Sequence, residues 1–246
     1  MKQKVAIHSF YSTTTNQREH MSIGTMKKCQ RELILKINLI NLLRWMLLTT
    51  FCHLTMRTTL SIWMRECVGY LVTIEVLAFL SCVGIVTKFL NWKYQPPNYT
   101  SYSLSIISLL GECLLCSVLC KATRGDFIQF SFMMTLMELI KILFLACYKY
   151  EFQHRHVQIY YLILILIVPA FFYVVFSMNE MFSTCVWTLL IVFYNITYWG
   201  TALNLAMDFA WKLKDRPLEA EIVVHYFGMF FVYVAAGYYY LQKYTK

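Results

Sequence analysis

"FYNITYWGTALNLAMDFAWKLKDRPLEAEIVVHYFGMFFVYVAAGYYYL", Phe193 to Leu241, holds two apolar, aromatic-rich runs on either side of a short charged stretch, Lys212 to Arg216. Each run is about as long as the roughly 20 helical residues needed to cross a hydrocarbon layer. Backbone polar groups cannot go unpaired in lipid, so runs of this composition are helices. The stretch therefore predicts a hairpin of two membrane-crossing helices. The entrance to its second arm, "LEAEIVVHYFG", Leu218 to Gly228, is unusual because Glu219, Glu221 and His225 stand on a segment that otherwise reads as lipid-soluble. Glu219 and Glu221 suit a helix start after Pro217, where the first-turn dipole favours acids. Gly228 is a position that can admit a close neighbour.

The rest of the chain repeats the pattern. It is 59% hydrophobic, 17% aromatic and only 14% charged, with a mean hydropathy of +0.53, well outside the soluble globular range. Seven windows have the length and apolarity of a span: Lys36–Thr55, Val68–Phe89, Ser101–Lys121, Phe127–Tyr148, Ile159–Met178, Phe182–Met207 and Ala220–Leu241. The expected fold is an all-α integral membrane protein, a seven-transmembrane-helix bundle. Residues 33–242 form its one domain, because the loops are too short for a second. Residues 1–32 are polar and lack the apolar core of a signal peptide, so they read as a disordered cytosolic tail, and 243–246 as a short C-terminal tail. Pro169 is expected to kink the fifth span.

Lys and Arg set the orientation. With the N-terminus in the cytosol, thirteen of them fall on that side and six on the other. The net charge of +9 is then a topology signal that favours anionic lipid head groups as partners, with no nucleic acid implied. The nine cysteines are odd in number and scattered. Cys113, Cys116 and Cys120 share one helix face, and without a matching His pair they read as small packing residues; a metal role is left undetermined. Of two glycosylation sequons, Asn98 falls on the cytosolic side and Asn195 within a span.

Charges inside spans carry the most information, because an unpaired charge at mid-bilayer costs at least ~2.5–3.5 kcal/mol. Arg44 falls in the first span, Glu75 in the second, Glu112 in the third, and Glu138 and Lys141 in the fourth. Glu112 and Glu138 each lie roughly 16 Å along their spans at about 1.5 Å per residue, so they can meet near the midplane. Glu138 with Lys141, and Arg44 with Glu75, read as structural ion pairs. The functional alternative is a line of carboxylates along a cation or proton path. No metalloprotease, hydrolase or P-loop motif occurs, and His53, His154, His156 and His225 are isolated; the chain is not expected to be an enzyme or to need a cofactor, beyond Ca2+ as a transported ion.

Two stretches resemble the transmembrane BAX-inhibitor-motif (Bax inhibitor) family. "NWKYQPPNYTSYSLSIISLLGE", Asn91 to Glu112, looks like that family's basic, proline-bearing loop before the third helix. Phe193 to Leu241 is similar to its last two helices, and "EIVVH" to the entry of its seventh. The resemblance implies a seven-helix cation leak gated by a pair of aspartates about 24 positions apart. On this chain the first position falls on Asp208 and the second on Val232, so half of the pair is replaced. Glu221 or His225 would have to substitute.

A broken pair resembles a divergent branch, such as the seven-helix proteins of the cytomegalovirus unique-short region. Two functions stay open. One is a modulator of calcium or ion homeostasis and cell death in endoplasmic-reticulum, Golgi or endosomal membranes, a cation leak with Asp208, Glu112, Glu138, Glu221 and His225 as ion-pathway or proton-sensing residues. The alternative is a viral immune-evasion protein that binds host membrane proteins and alters their surface display without conduction. A G-protein-coupled receptor is a poor third: neither Asp-Arg-Tyr nor Asn-Pro-x-x-Tyr appears where it belongs, and its N-terminus would lie outside.

Overall fold

The computed structural model describes residues 23–58, 99–122, 126–147 and 181–244, with isolated positions in 70–84 and 159–170. All regular structure among the described residues is helical. Among the described residues there are five long helices: α1 (Ile23–Met56), α2 (Tyr99–Ala122), α3 (Asp126–Cys147), α4 (Met181–Leu213) and α5 (Pro217–Tyr244). Of the expected spans Val68–Phe89 and Ile159–Met178 only those isolated positions are described, and Glu75, Pro169, His154 and His156 lie outside the described residues.

Three described helices are long and apolar enough to cross a membrane: Gly24–Met56, Phe127–Cys147 and Val186–Leu213. Ser105–Val118 is a shorter apolar stretch. The chain is therefore a helical protein with membrane-spanning segments. Large apolar side chains such as Leu43, Leu47, Ile106, Leu110, Leu143 and Phe230 point outward, as a lipid-facing surface requires.

The first helix departs from expectation. It begins at Ile23, so residues 23–32 continue the helix rather than belong to a tail. At about 1.5 Å per residue its 34 residues reach roughly 51 Å, more than the ~30 Å hydrocarbon layer. The extra turns are held by the ends of other helices. Gln30 Nε2 donates to Met207 O at 3.4 Å and Arg31 Nη2 to Leu145 O at 3.2 Å. Lys36 Nζ reaches Lys214 O at 3.4 Å. Arg31, Lys36, Lys214 and Arg216 thus gather at one end of the bundle.

Contacts along the helices give their directions. Tyr194 meets Trp45 and Tyr198 meets Ile37, while Gln30 meets Met207, so α4 runs antiparallel to α1. Phe130 with Trp187, Asn195 with Met134 and Lys141 with Tyr198 make α3 and α4 parallel. Ser108 with Tyr226 and Glu112 with Tyr233 make α2 and α5 parallel. The α4–α5 turn spans residues 214–216, where Arg216 N donates to Leu213 O at 2.9 Å. Pro217 then opens α5 at the one position where a missing N–H loses nothing.

Candidate functional site

The stripe "NLINLLRW" on α1 sets Asn38, Asn41 and Arg44 three residues apart, hence on one helical face, with Trp45 beside them. All four are buried. Arg44 forks across to two helices: Nε and Nη2 each lie 3.0 Å from the carboxylate oxygens of Glu221 on α5, and Nη1 lies 2.7 Å from Glu112 Oε2 on α2. The bidentate arm uses the guanidinium plane, a geometry that Lys cannot match.

His225, one turn beyond Glu221, closes the group. Its Nε2 is 2.5 Å from Glu112 Oε1, and its Nδ1 lies 3.0 Å from the Tyr194 hydroxyl and 3.1 Å from Asn41 Oδ1. The Tyr194 hydroxyl donates to Asn41 Oδ1 at 3.1 Å and accepts from Trp45 Nε1 at 3.2 Å. Tyr233 adds a donor to Glu112 Oε1 at 3.3 Å. Four helices thus supply one hydrogen-bonded cluster. Its ionised groups, Arg44, Glu112 and Glu221, sum to −1 with His225 neutral and to zero with His225 protonated.

An aromatic layer seals one side. Trp45 packs edge-on against Phe130 at 5.7 Å and Tyr194 at 5.6 Å, and Phe130 packs against Trp187 at 5.2 Å. Gly228 makes room for Tyr194: a Cβ there would fall 2.8 Å from the tyrosine ring.

The sequence-predicted residues divide into those gathered in the cluster and those outside it. Glu112, Glu221 and His225 come together around Arg44. Arg44 takes Glu112 and Glu221 as its partners; Glu75, the partner expected from the sequence, lies outside the described residues. Glu112 and Glu138 have different direct partners: Glu138 pairs with Lys141 one turn along α3, both fully buried, with the Lys141 ammonium 4.6 Å from the Tyr198 ring centre. The aspartate-pair positions are apart. Asp208 is exposed five residues before the end of α4, whereas Val232 is buried in the apolar core fifteen residues into α5. Tyr194 meets His225 and Gly228 across the hairpin, which puts Asp208 near the turn and far along the axis from Val232.

Glu219 and Glu221 also separate. Glu219 pairs with Arg216 at 3.2 Å in the first turn, a helix-start role, while Glu221 turns inward to Arg44. Sequence reasoning missed Asn38, Asn41, Trp45, Tyr194, Asn195 and Tyr198; the three-residue spacing of Asn38, Asn41 and Arg44 inside an apolar span was the available signal. Cys52, Cys113, Cys116 and Cys120 are buried in the apolar core. Among the described residues no group of three or more His, Cys, Asp or Glu side chains could hold a metal ion. No family model, curated protein or solved structure matches the chain.

Proposed function

We propose that this chain is a seven-span membrane protein of the Bax-inhibitor type, a proton-linked cation leak of intracellular membranes, with the Arg44 cluster as its closed gate. The carrying observation is the cluster itself: Arg44, Glu112, Glu221 and His225 meet, buried, from three helices. Ionisable groups inside a membrane are expensive and persist mainly where a pathway or relay uses them. With His225 neutral the cluster carries one uncompensated negative charge, which favours a cation; protonating His225 cancels it.

Helix direction supports the seven spans. α1 and α2 both run antiparallel to the α4 direction, so the chain between Met56 and Tyr99 has to return along the bundle. α3 and α4 are parallel, so the chain between Cys147 and Met181 has to return as well. The apolar windows 68–89 and 159–178 fit those crossings. The end carrying Arg31, Lys36, Lys214 and Arg216 is then cytosolic, and the N-terminus with it.

Calcium flux through the purified protein in liposomes tests this reading. The expected result is flux above that of empty liposomes at mildly acidic and mildly alkaline pH, and lower in Glu112→Gln. Flux equal to that of empty liposomes at both pH values contradicts the reading.

A second reading has its own observation, the closure of every acid of the cluster in ion pairs. A protein that captures host membrane proteins within the bilayer needs rigid, neutralised helices and no open path. Absence of flux together with recovery of a crosslinked membrane partner would favour it.

A further inference from the structure

Tyr194 stands where α4 meets the Arg44 cluster, and its hydroxyl has more partners than the packing of a ring requires. It accepts from Trp45 Nε1 at 3.2 Å, donates to Asn41 Oδ1 at 3.1 Å and lies 3.0 Å from His225 Nδ1. The ring that carries it is fixed on several sides. It stacks on Tyr198 at 5.5 Å, meets Trp45 edge-on at 5.6 Å and fills the space that Gly228 leaves open. A side chain held in this way delivers its hydroxyl to one point.

That point bears on how the His225 ring is turned. The last torsion of a histidine is broad and roughly two-fold, so the ring has two orientations related by a half-turn about Cβ–Cγ. In the one present, Nε2 lies 2.5 Å from Glu112 Oε1 while Nδ1 faces the Tyr194 hydroxyl and Asn41 Oδ1. A half-turn exchanges each ring nitrogen with a carbon, and carbons make neither contact. Glu112 would then keep Arg44 on Oε2 and Tyr233, at 3.3 Å, on Oε1. The rings of Trp45 and Tyr226, 5.8 and 6.1 Å from that of His225, pack against it without selecting a nitrogen. Asn41 is turned in the same sense. Its Oδ1 faces the Tyr194 hydroxyl although its own Nδ2 is buried without a partner, an arrangement that is costly unless the oxygen is held inward.

We propose that Tyr194 is the positioning residue of the cluster: its hydroxyl selects the His225 orientation that puts Nε2 on Glu112, and through it α4 sets how fully Glu112 is held. This deepens the gate reading and rests on it for the consequence in flux, but the ring orientation is measured without flux, so the two fail separately.

The test is NMR of the full chain in detergent with 15N-labelled histidine rings, the His225 signals identified by their loss in His225→Gln, and calcium flux measured on the same proteins. Wild type is expected to show one His225 ring state, with an Nε2 proton slow to exchange with water and a through-space contact to the Tyr194 ring. Tyr194→Phe keeps the ring and its fit at Gly228, and should lose the slow proton and populate the second orientation; on the gate reading its flux rises. Tyr198→Phe, which removes a hydroxyl bonded to Ile37 O at 3.3 Å, should match wild type. Asn41→Ala leaves the Tyr194 hydroxyl on Nδ1 and should keep the wild-type ring state, which decides the matter if Tyr194→Phe does not fold. A Tyr194→Phe that melts lower with wild-type His225 signals has lost stability alone and overturns the proposal. So does a second ring orientation in Asn41→Ala, or a wild type without the Tyr194 contact. Altered His225 signals in Tyr194→Phe with unchanged flux uphold the positioning and count against the gate.

Discussion

Gly228 is the residue at which a single methyl group has the clearest consequence. A Cβ at that position would sit 2.8 Å from two ring carbons of Tyr194, and the ring cannot retreat because Trp45, Tyr198 and His225 pack around it. Gly228→Ala should therefore destabilise the protein by about 1–3 kcal/mol through overpacking, seen as a lower melting temperature in detergent. The double variant Gly228→Ala/Tyr194→Leu should recover part of the loss, and a Gly228→Ala that melts like wild type would remove Tyr194 from this contact. Arg44 carries a different kind of risk. Arg44→Met strands the buried Glu221 and leaves Glu112 with His225 and Tyr233 alone, and breaking a buried pair from one side costs about 3–5 kcal/mol. Arg44→Lys keeps the charge but loses the fork on Glu221, so it should fall between the two in melting temperature.

At the scale of the helices, the hairpin α4–α5 shows what a sequence can and cannot disclose. Its existence was legible from two apolar runs, a charged break and Pro217, because those are local features. The division of labour between Glu219 and Glu221 was not, since both suit a first turn; only a guanidinium arriving from α1, 177 positions away, decides that Glu221 faces inward. Arg44 likewise offered no local clue that Glu112 and Glu221 would be its partners. Asp208 and Val232 matched a spacing along the chain, yet the level at which two helices meet is set by the turn and by packing such as Tyr194 against Gly228. The pair Ser108–Tyr226, 2.8 Å apart, joins α2 to α5 one turn before Glu112 and beside His225. A double-mutant cycle of Ser108→Ala and Tyr226→Phe should give a coupling of about 0.6 kcal/mol, typical of hydrogen bonds between membrane helices. A coupling near zero would mean that these helices are held together by the Arg44 cluster and apolar packing alone.

For the molecule as a whole, the parallel run of α3 with α4 and of α1 with α2 makes topology a checkable consequence. Single cysteines introduced at residues 3 and 152 into a cysteine-free chain should both react with a membrane-impermeant reagent only from the cytosolic side, and one at residue 180 only from the opposite side. Labelling of 152 and 180 from the same side would remove the crossing assigned to 159–178. The cluster would still hold α1, α2 and α5 together, but the chain would not be a seven-span bundle.

The most direct measurement of the gate is calcium flux in liposomes for wild type, Arg44→Met and Arg44→Met/Glu112→Gln/Glu221→Gln, with Asp208→Asn as a control outside the cluster. Removing the guanidinium should raise flux above wild type, because two carboxylates then face the pathway without their counter-charge. Neutralising both carboxylates as well should return flux toward that of empty liposomes, and Asp208→Asn should match wild type. If folded Arg44→Met conducts no more than wild type, the cluster is a structural clamp and the gate assigned to it does not exist.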